Sequence, residues 1–218
     1  MVNEQGRGRD GFGVGVLLGH REHGGHSTAF TVEKWDTDQI RWARRRNDNY
    51  GLADPRLEPD ARLFRALAVK PFEVYHLEDC NLITDVGWQN IMGGIAGTTP
   101  TKFVNATTGR IGLGTSATAV TYTDTALNAI GALTTANWKV INAVPTVGST
   151  HTAGLILSAQ FATTEANNVA IQEFAADLGT ASTLSTAAVG GLFSHGNATP
   201  GTKTSAQTWN ATITYTWT

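Results

Sequence analysis

The clearest alternation of apolar and polar positions lies in the last dozen residues. Trp209, Ala211, Ile213, Tyr215 and Trp217 alternate with Asn210, Thr212, Thr214 and Thr216, the period of two expected of a half-buried strand. Two indoles and a phenol on one face lose much favourable burial if left in water. The pattern predicts a late, central strand of an antiparallel β-domain, with Trp209, Ile213, Tyr215 and Trp217 in its core. Residues 154–162 alternate similarly, Leu155, Leu157, Ala159 and Phe161 against Ile156, Ser158 and Gln160, which adds Leu155, Leu157 and Phe161 to that core. Further strands are predicted over 72–77, 110–113, 138–144 and 168–174. They sit in a Thr-, Ala-, Gly- and Ser-rich background typical of β-sandwich or barrel segments separated by turns.

Helical periods are fewer. Asp36 is placed to cap a helix over 37–46, with Ile40 and Ala43 on one face and Arg44, Arg45 and Arg46 near its C-terminus, where cations suit the helix dipole. Pro59 suits the first position of a second helix reaching about Ala68, which Lys70-Pro71 stops. Trp88, Ile91, Met92 and Ile95 recur at helical spacing after Thr84 or Asp85 as cap, and Gly97 supplies the stop. Residues 124–133 read either as a short capped helix or as a structured loop.

Charge divides the chain. Of its 34 Asp, Glu, Lys and Arg residues, 25 fall in the first 80 positions, leaving 9 for the following 138. Together with the Gly- and His-rich texture of residues 1–35, this predicts an extended, partly helical charged arm over 1–68 and a mainly β, antiparallel sandwich over 69–218. The arm's exposed groups, Arg41, Arg44, Arg45 and Arg46 with Trp35 and Trp42, are the candidate partner surface. A formal net charge of −2 over 218 residues supplies no overall basic field, so neither nucleic acid nor an anionic membrane is an expected partner. No apolar run reaches the roughly 20 residues needed to span a bilayer. Phe12 to Leu18 is broken by Gly13 and Gly15 and leads into His20-Arg21-Glu22-His23, so a secretory signal is not expected. One cysteine, Cys80, excludes an intrachain disulfide and reads as a small buried hydrophobe.

The candidate chemistry is sparse. Gly112-Leu113-Gly114-Thr115-Ser116-Ala117 has the glycine spacing of a dinucleotide loop, but a β-like run over 118–122 follows where a helix must start. Those glycines are expected to serve a tight turn or bulge. His20, His23 and His26, with Glu22, have short spacing but no rigid scaffold and no thiolate partner, and fit a polar loop or interface better than a metal centre. Glu165 and Glu173 lack a diagnostic glycosidase arrangement, and no G-x-S-x-G elbow is present. Asn105, Asn197 and Asn210 each open an N-x-T triplet, expected by chance in a Thr-rich chain. Neither a catalytic residue nor a cofactor is expected.

Three stretches carry a resemblance. They are Asn81-Leu82-Ile83-Thr84-Asp85-Val86-Gly87 with its helix; Ile111-Gly112-Leu113-Gly114-Thr115 leading to Thr123-Asp124-Thr125-Ala126-Leu127; and Phe161-Ala162-Thr163-Thr164-Glu165-Ala166-Asn167 followed by Ile171-Gln172-Glu173 and the alternating Trp strand. In this order they resemble structural proteins of tailed-bacteriophage particles: minor capsid, head-decoration and minor tail proteins. The resemblance covers about residues 75–218. Gly191-Leu192-Phe193 stands further beyond Glu173 than in such proteins. It implies a non-enzymatic virion component, made in the host cytoplasm, that stabilises the head by binding the major capsid protein, with self-association in a symmetric assembly. A minor tail or fibre-like protein, bound to tail subunits, is the alternative. A carbohydrate-binding module stacking sugars on Trp209, Trp217 or Trp138 is an alternative of another class, and requires those rings to be open to solvent. On this reading, removal of residues 1–68 leaves a soluble β-domain that no longer binds the particle, which co-sedimentation with heads would measure.

Overall fold

The computed structural model describes residues 26–54, 58–97, 108–142, 146–147, 153–177, 179, 183–188 and 191–217. Among these, ten strands and three helices run in the order β1 (His26–Asp36), α1 (Thr37–Tyr50), α2 (Ala61–Ala66), β2 (Glu73–Glu78), β3 (Asn81–Ile83), α3 (Asp85–Ala96), β4 (Arg110–Gly114), β5 (Trp138–Val140), β6 (Thr146–Val147), β7 (Ala153–Phe161), β8 (Ala170–Asp177), β9 (Leu192–Thr202) and β10 (Gln207–Trp217). They form two five-stranded antiparallel sheets, β2-β1-β10-β7-β6 and β3-β9-β8-β4-β5. The protein is a mainly β sandwich. Its two sheets share one core, in which Phe30 of β1 stacks on Phe174 of β8 with centroids 3.9 Å apart.

The final strand is the middle of its sheet. β10 pairs with β1 from His26↔Trp217 to Asp36↔Gln207 and with β7 from Trp209↔Phe161 to Trp217↔Ala153. Trp209, Ala211, Ile213 and Tyr215 are buried in the core with Leu157 and Phe161, while Leu155 and Trp217 pack at its margin. The Tyr215 hydroxyl reaches Ser194 Oγ, and Asn81 Nδ2 donates to the same Ser194 oxygen at 2.9 Å. A polar triad thus satisfies the one oxygen that the tyrosine carries into the core. The alternate face of β10 is covered at one end, because Thr208 and Asn210 are as buried as the core residues.

That covering redraws the expected domain boundary. Residues 26–36 do not lie in an arm; they form β1, hydrogen-bonded between β2 and β10. On its core side β1 buries Phe30 and Val32, and on its other side it ends in Trp35, whose ring stacks on Phe64 of α2 with centroids 4.5 Å apart. Trp35, Ile40, Ala43, Ala61 and Phe64 make a second, smaller core between the sheet and the two helices. Trp35, expected at a partner surface, is therefore completely buried. The helices follow from local chemistry. The Asp36 carboxylate accepts from the amides of Asp38 and Gln39 at 3.0 and 2.9 Å, and the Gln39 side chain accepts from the Asp36 amide at 2.9 Å, a closed capping box. α1 extends one turn beyond the expected range, to Tyr50. There Asn47 holds Ala53 through two hydrogen bonds of 2.7 and 2.8 Å. α2 begins at Ala61 rather than at Pro59, and Asp60 caps it, accepting from Leu63 N at 2.8 Å.

The other sheet is also covered. α3 is capped by Thr84, which accepts from Gly87 N at 3.1 Å. It lies so close to β9 that a Cβ at Gly87 would fall 2.1 Å from the Phe193 carbonyl oxygen. Of its predicted apolar face, Trp88 and Ile91 pack on the core, whereas Met92 and Ile95 are exposed. Residues 124–133 form a structured loop rather than a helix, and the run 118–122 is loop as well. No helix among the described residues is long and apolar enough to cross a membrane.

These contacts change the outcome expected of truncation. A chain beginning at residue 69 lacks β1 and exposes both β2 and β10, so it should give no cooperative urea transition and should aggregate. Trp35→Ala should lower stability by about 3–5 kcal/mol, read as a shifted midpoint in the same denaturation experiment.

Candidate functional site

Three places concentrate groups able to do chemistry or bind. The first is a buried charged cluster on the face of the second sheet turned away from the core. β8 and β9 change register between Ile171 and Glu173, and this irregularity moves Glu173 to the opposite face from Ile171. His195 of β9 lies beside it, completely buried, with Nε2 2.9 Å from Glu173 Oε2 and Nδ1 2.8 Å from Asp124 Oδ2. Glu173 also accepts from the amides of Asn128, Ala129 and Ser116 at 2.9, 2.8 and 3.2 Å. Asp124 accepts from Thr121 N and Oγ1 at 2.8 and 2.6 Å.

Among the described residues, the other partners of the two carboxylates are all donors, as an ionised carboxylate requires. Burial pushes the Glu173 carboxyl upward. The bonds from His195, Ala129, Asn128 and Ser116 overcome that push and hold it below the ordinary carboxylate range. Asp124 is likewise held low: desolvation opposes the shift, and Thr121 and His195 overcome it. With both ring nitrogens engaged and the ring sealed, this cluster fastens the β4–β5 loop to the sheet. It presents no ring nitrogen to a ligand.

The glycines of the dinucleotide-like motif belong to this fastening. A Cβ at Gly114 would fall 2.4 Å from Glu173 Oε1, and one at Gly112 would fall 2.6 Å from the Trp138 ring. The first glycine seats an indole and the second leaves room for the carboxylate. They serve strand β4 rather than a turn or bulge.

The second place is a cavity of about 420 Å³ at the β5–β7 end, lined among others by Glu58, Arg110, Trp138, Lys139, Gln160 and Glu165. Glu165 accepts from Lys139 Nζ at 2.5 Å and from Ala162 N at 2.9 Å. Glu58 accepts from Thr163 N at 3.0 Å and from Thr208 Oγ1. Glu165 and Glu173, considered together as a carboxylate pair, thus belong to separate networks. Next to the cavity, Lys203 is completely buried, donating to Ala162 O at 2.5 Å and Asn167 Oδ1 at 2.9 Å. Burial lowers its pKa to about 8, against the opposing pull of Glu58 and Glu165.

The third place is the outward side of α1. Arg41, Arg44, Arg45 and Arg46 are all exposed, as is Trp42. The Arg46 guanidinium lies 5.1 Å from the Trp42 ring centroid and 5.7 Å from that of Tyr50. Among the described residues, Arg41 pairs with Asp38 on its own helix, at 3.5 Å. Trp42 borders a groove of about 370 Å³ with Asp38, Gln39, Ala68 and Val69. Five of the six expected interface residues therefore share one helix, and Trp35 lies beneath it as its anchor.

Other sequence candidates resolve differently. Trp209 and Trp138 are 1% exposed, so neither ring is open for stacking on a sugar. Cys80 packs at the margin of the core, and burial raises its thiol to about 11. Asn210 is buried within β10, and Asn105, His20 and His23 lie outside the described residues. No group of three or more His, Cys, Asp or Glu side chains among the described residues is placed to hold a metal ion. His195, Lys203 and Glu58 take part in the charged networks without any sequence motif pointing to them. Comparison with protein-family models, with curated proteins and with solved structures finds no match to this chain.

The depressed carboxyl pKa values set a pH dependence. Groups whose folded pKa lies below the unfolded value stabilise above the unfolded value, near pH 4, and lose that contribution as pH falls through the folded one. Urea midpoints should therefore drop below about pH 4. Glu173→Gln should cost about 3–5 kcal/mol at pH 7, because it breaks a buried, fully hydrogen-bonded charged network by removing one partner, and should flatten the acid limb of that profile.

Proposed function

We propose that this chain is a non-enzymatic virion structural protein, a minor capsid or head-decoration protein that binds the major capsid protein and stabilises an assembled phage head. The observation that carries this reading is the α1 surface. Four exposed arginines and an exposed indole stand on a helix that is capped at its start and anchored from beneath by Trp35 on Phe64. A rigid, cationic, aromatic face loses little conformational freedom on docking and suits an acidic surface on a partner.

The sequence stretches that resemble phage particle proteins support the same reading, because they fall on successive pieces of one sandwich: β3 with α3, β4 with its covering loop, and β7, β8 and β10. The groups best suited to proton transfer, His195 and Glu173, are sealed and fully engaged in holding that loop, which favours a structural role. The same α1 face would serve a minor tail protein bound to tail subunits, so location on the particle separates the two readings.

Purified heads and tails, each mixed with the chain and sedimented, give the test. The chain should pellet with heads in a salt-sensitive manner. The triple variant R41E/R44E/R45E should keep its circular dichroism spectrum and bind at least about tenfold more weakly. Pelleting with tails alone would transfer the assignment to the tail, and pelleting with neither would overturn the virion reading.

A further inference from the structure

Lys203 and Asn167 are placed for a reaction as well as a hydrogen bond. Lys203 follows β9 and is completely buried; Asn167, in the β7–β8 turn, is 8% exposed. The lysine Nζ stands 2.9 Å from Asn167 Oδ1, one bond from the carboxamide carbon. Neither side chain is free to leave. Asn167 Nδ2 donates to Thr163 O at 2.7 Å, Lys203 Nζ also donates to Ala162 O at 2.5 Å, and the amide of Asn168 donates to the Lys203 carbonyl at 2.9 Å. An amine and an acyl group held at contact distance react with a high effective concentration, because the entropy of bringing them together has been lost during folding.

We propose that Lys203 and Asn167 join in an intramolecular isopeptide bond, tying the β7–β8 turn covalently to the β9–β10 turn. The neutral Nζ attacks Asn167 Cγ, a C–N bond forms, and the Cγ–Nδ2 bond breaks. One proton passes from Nζ to the departing Nδ2, which leaves as ammonia. Atoms and charge balance without an oxidant, a metal or a cofactor.

The surroundings meet the remaining needs. Burial lowers the Lys203 pKa to about 8, so a fraction on the order of a tenth is the nucleophilic free amine at pH 7 and most of it is at pH 9. The charged groups that act on it among the described residues are Glu58, ahead of α2, and Glu165, in the same turn as Asn167, the latter paired with Lys139 of β5. Glu165 stands two positions from the acyl donor, and its carboxylate is held by Lys139 Nζ and the Ala162 amide, so the proton passes between the two nitrogens directly or through solvent. A lysine buried only for packing would show the same hydrogen bonds, but it would leave the mass of the chain unchanged.

Intact-mass spectrometry of the full chain, freshly purified and after incubation at pH 9, is the test. The wild-type chain should weigh one ammonia molecule less than its sequence, with the deficit growing during incubation. A tryptic map should contain a branched peptide joining the segment of Asn167 to that of an uncleaved Lys203. K203R and N167A should have the full sequence mass. A wild-type chain at full sequence mass under both conditions overturns the proposal. So does a deficit that survives in K203R, since cyclisation of an asparagine also releases ammonia but needs no lysine. The wild-type map stands even if a variant fails to fold.

Discussion

The fold depends on a single imidazole held between two carboxylates. His195, Glu173 and Asp124 come from β9, β8 and the β4–β5 loop, and none of them is tolerable in that position without the others. Burying an isolated ion costs several kcal/mol, and a buried cluster is stable only when each oxygen and each N–H is matched. Here the match is completed by backbone amides of the loop itself, at Ser116, Asn128 and Ala129. The loop therefore cannot lift without stranding charge. Its attachment also seals Leu127, Trp138, Ala175 and Leu192 into a small cluster on that face of the sheet.

The opposite sheet is closed mainly by apolar contact. Trp35 and Phe64 stack, Ile40 and Ala43 pack around them, and α1 and α2 lie over the strands as a lid whose rim is tied down by Gln160 to Pro59 and Ala61 and by Arg65 to Glu33. The two sheets thus share a conventional central core, but their outer faces are protected by different physics. One cover tolerates side-chain repacking; the other demands hydrogen-bond geometry. This difference fits the sequence texture, since a Thr- and Ala-rich loop has little apolar area to contribute and must be held by polar contacts instead.

Much of this was legible where one face of an element meets water. The alternation of β10 and β7, the capping residues Asp36 and Thr84, and the stop at Gly97 predicted elements that the structure contains. The misses have separate causes. β9 is buried on both faces from Leu192 to Gly196 and is punctuated by Gly196, Pro200 and Gly201, so it shows neither alternation nor a clean run. β1 follows a Gly- and His-rich stretch whose texture masks the strand, although Phe30 and Val32 do alternate. The charged cluster was invisible for a different reason: His195 is 71 residues from Asp124 and 22 from Glu173, and nothing in sequence spacing reports contacts set by sheet pairing.

The uneven distribution of charge has an electrical consequence. Of the described charged residues beyond position 80, Asp85 is exposed, while Arg110, Asp124, Lys139, Glu165, Glu173, Asp177 and Lys203 are half-buried or buried. Exposed charge is concentrated instead on α1, α2 and β2, all attached to one sheet. Among the described residues, one flank thus carries little exposed charge and the other much, so an external field exerts a torque on that part of the molecule. Near a charged surface it would rotate into alignment within about a Debye length, roughly 8 Å at physiological salt. The orientation of the molecule would then be selected before any side chain touched its partner.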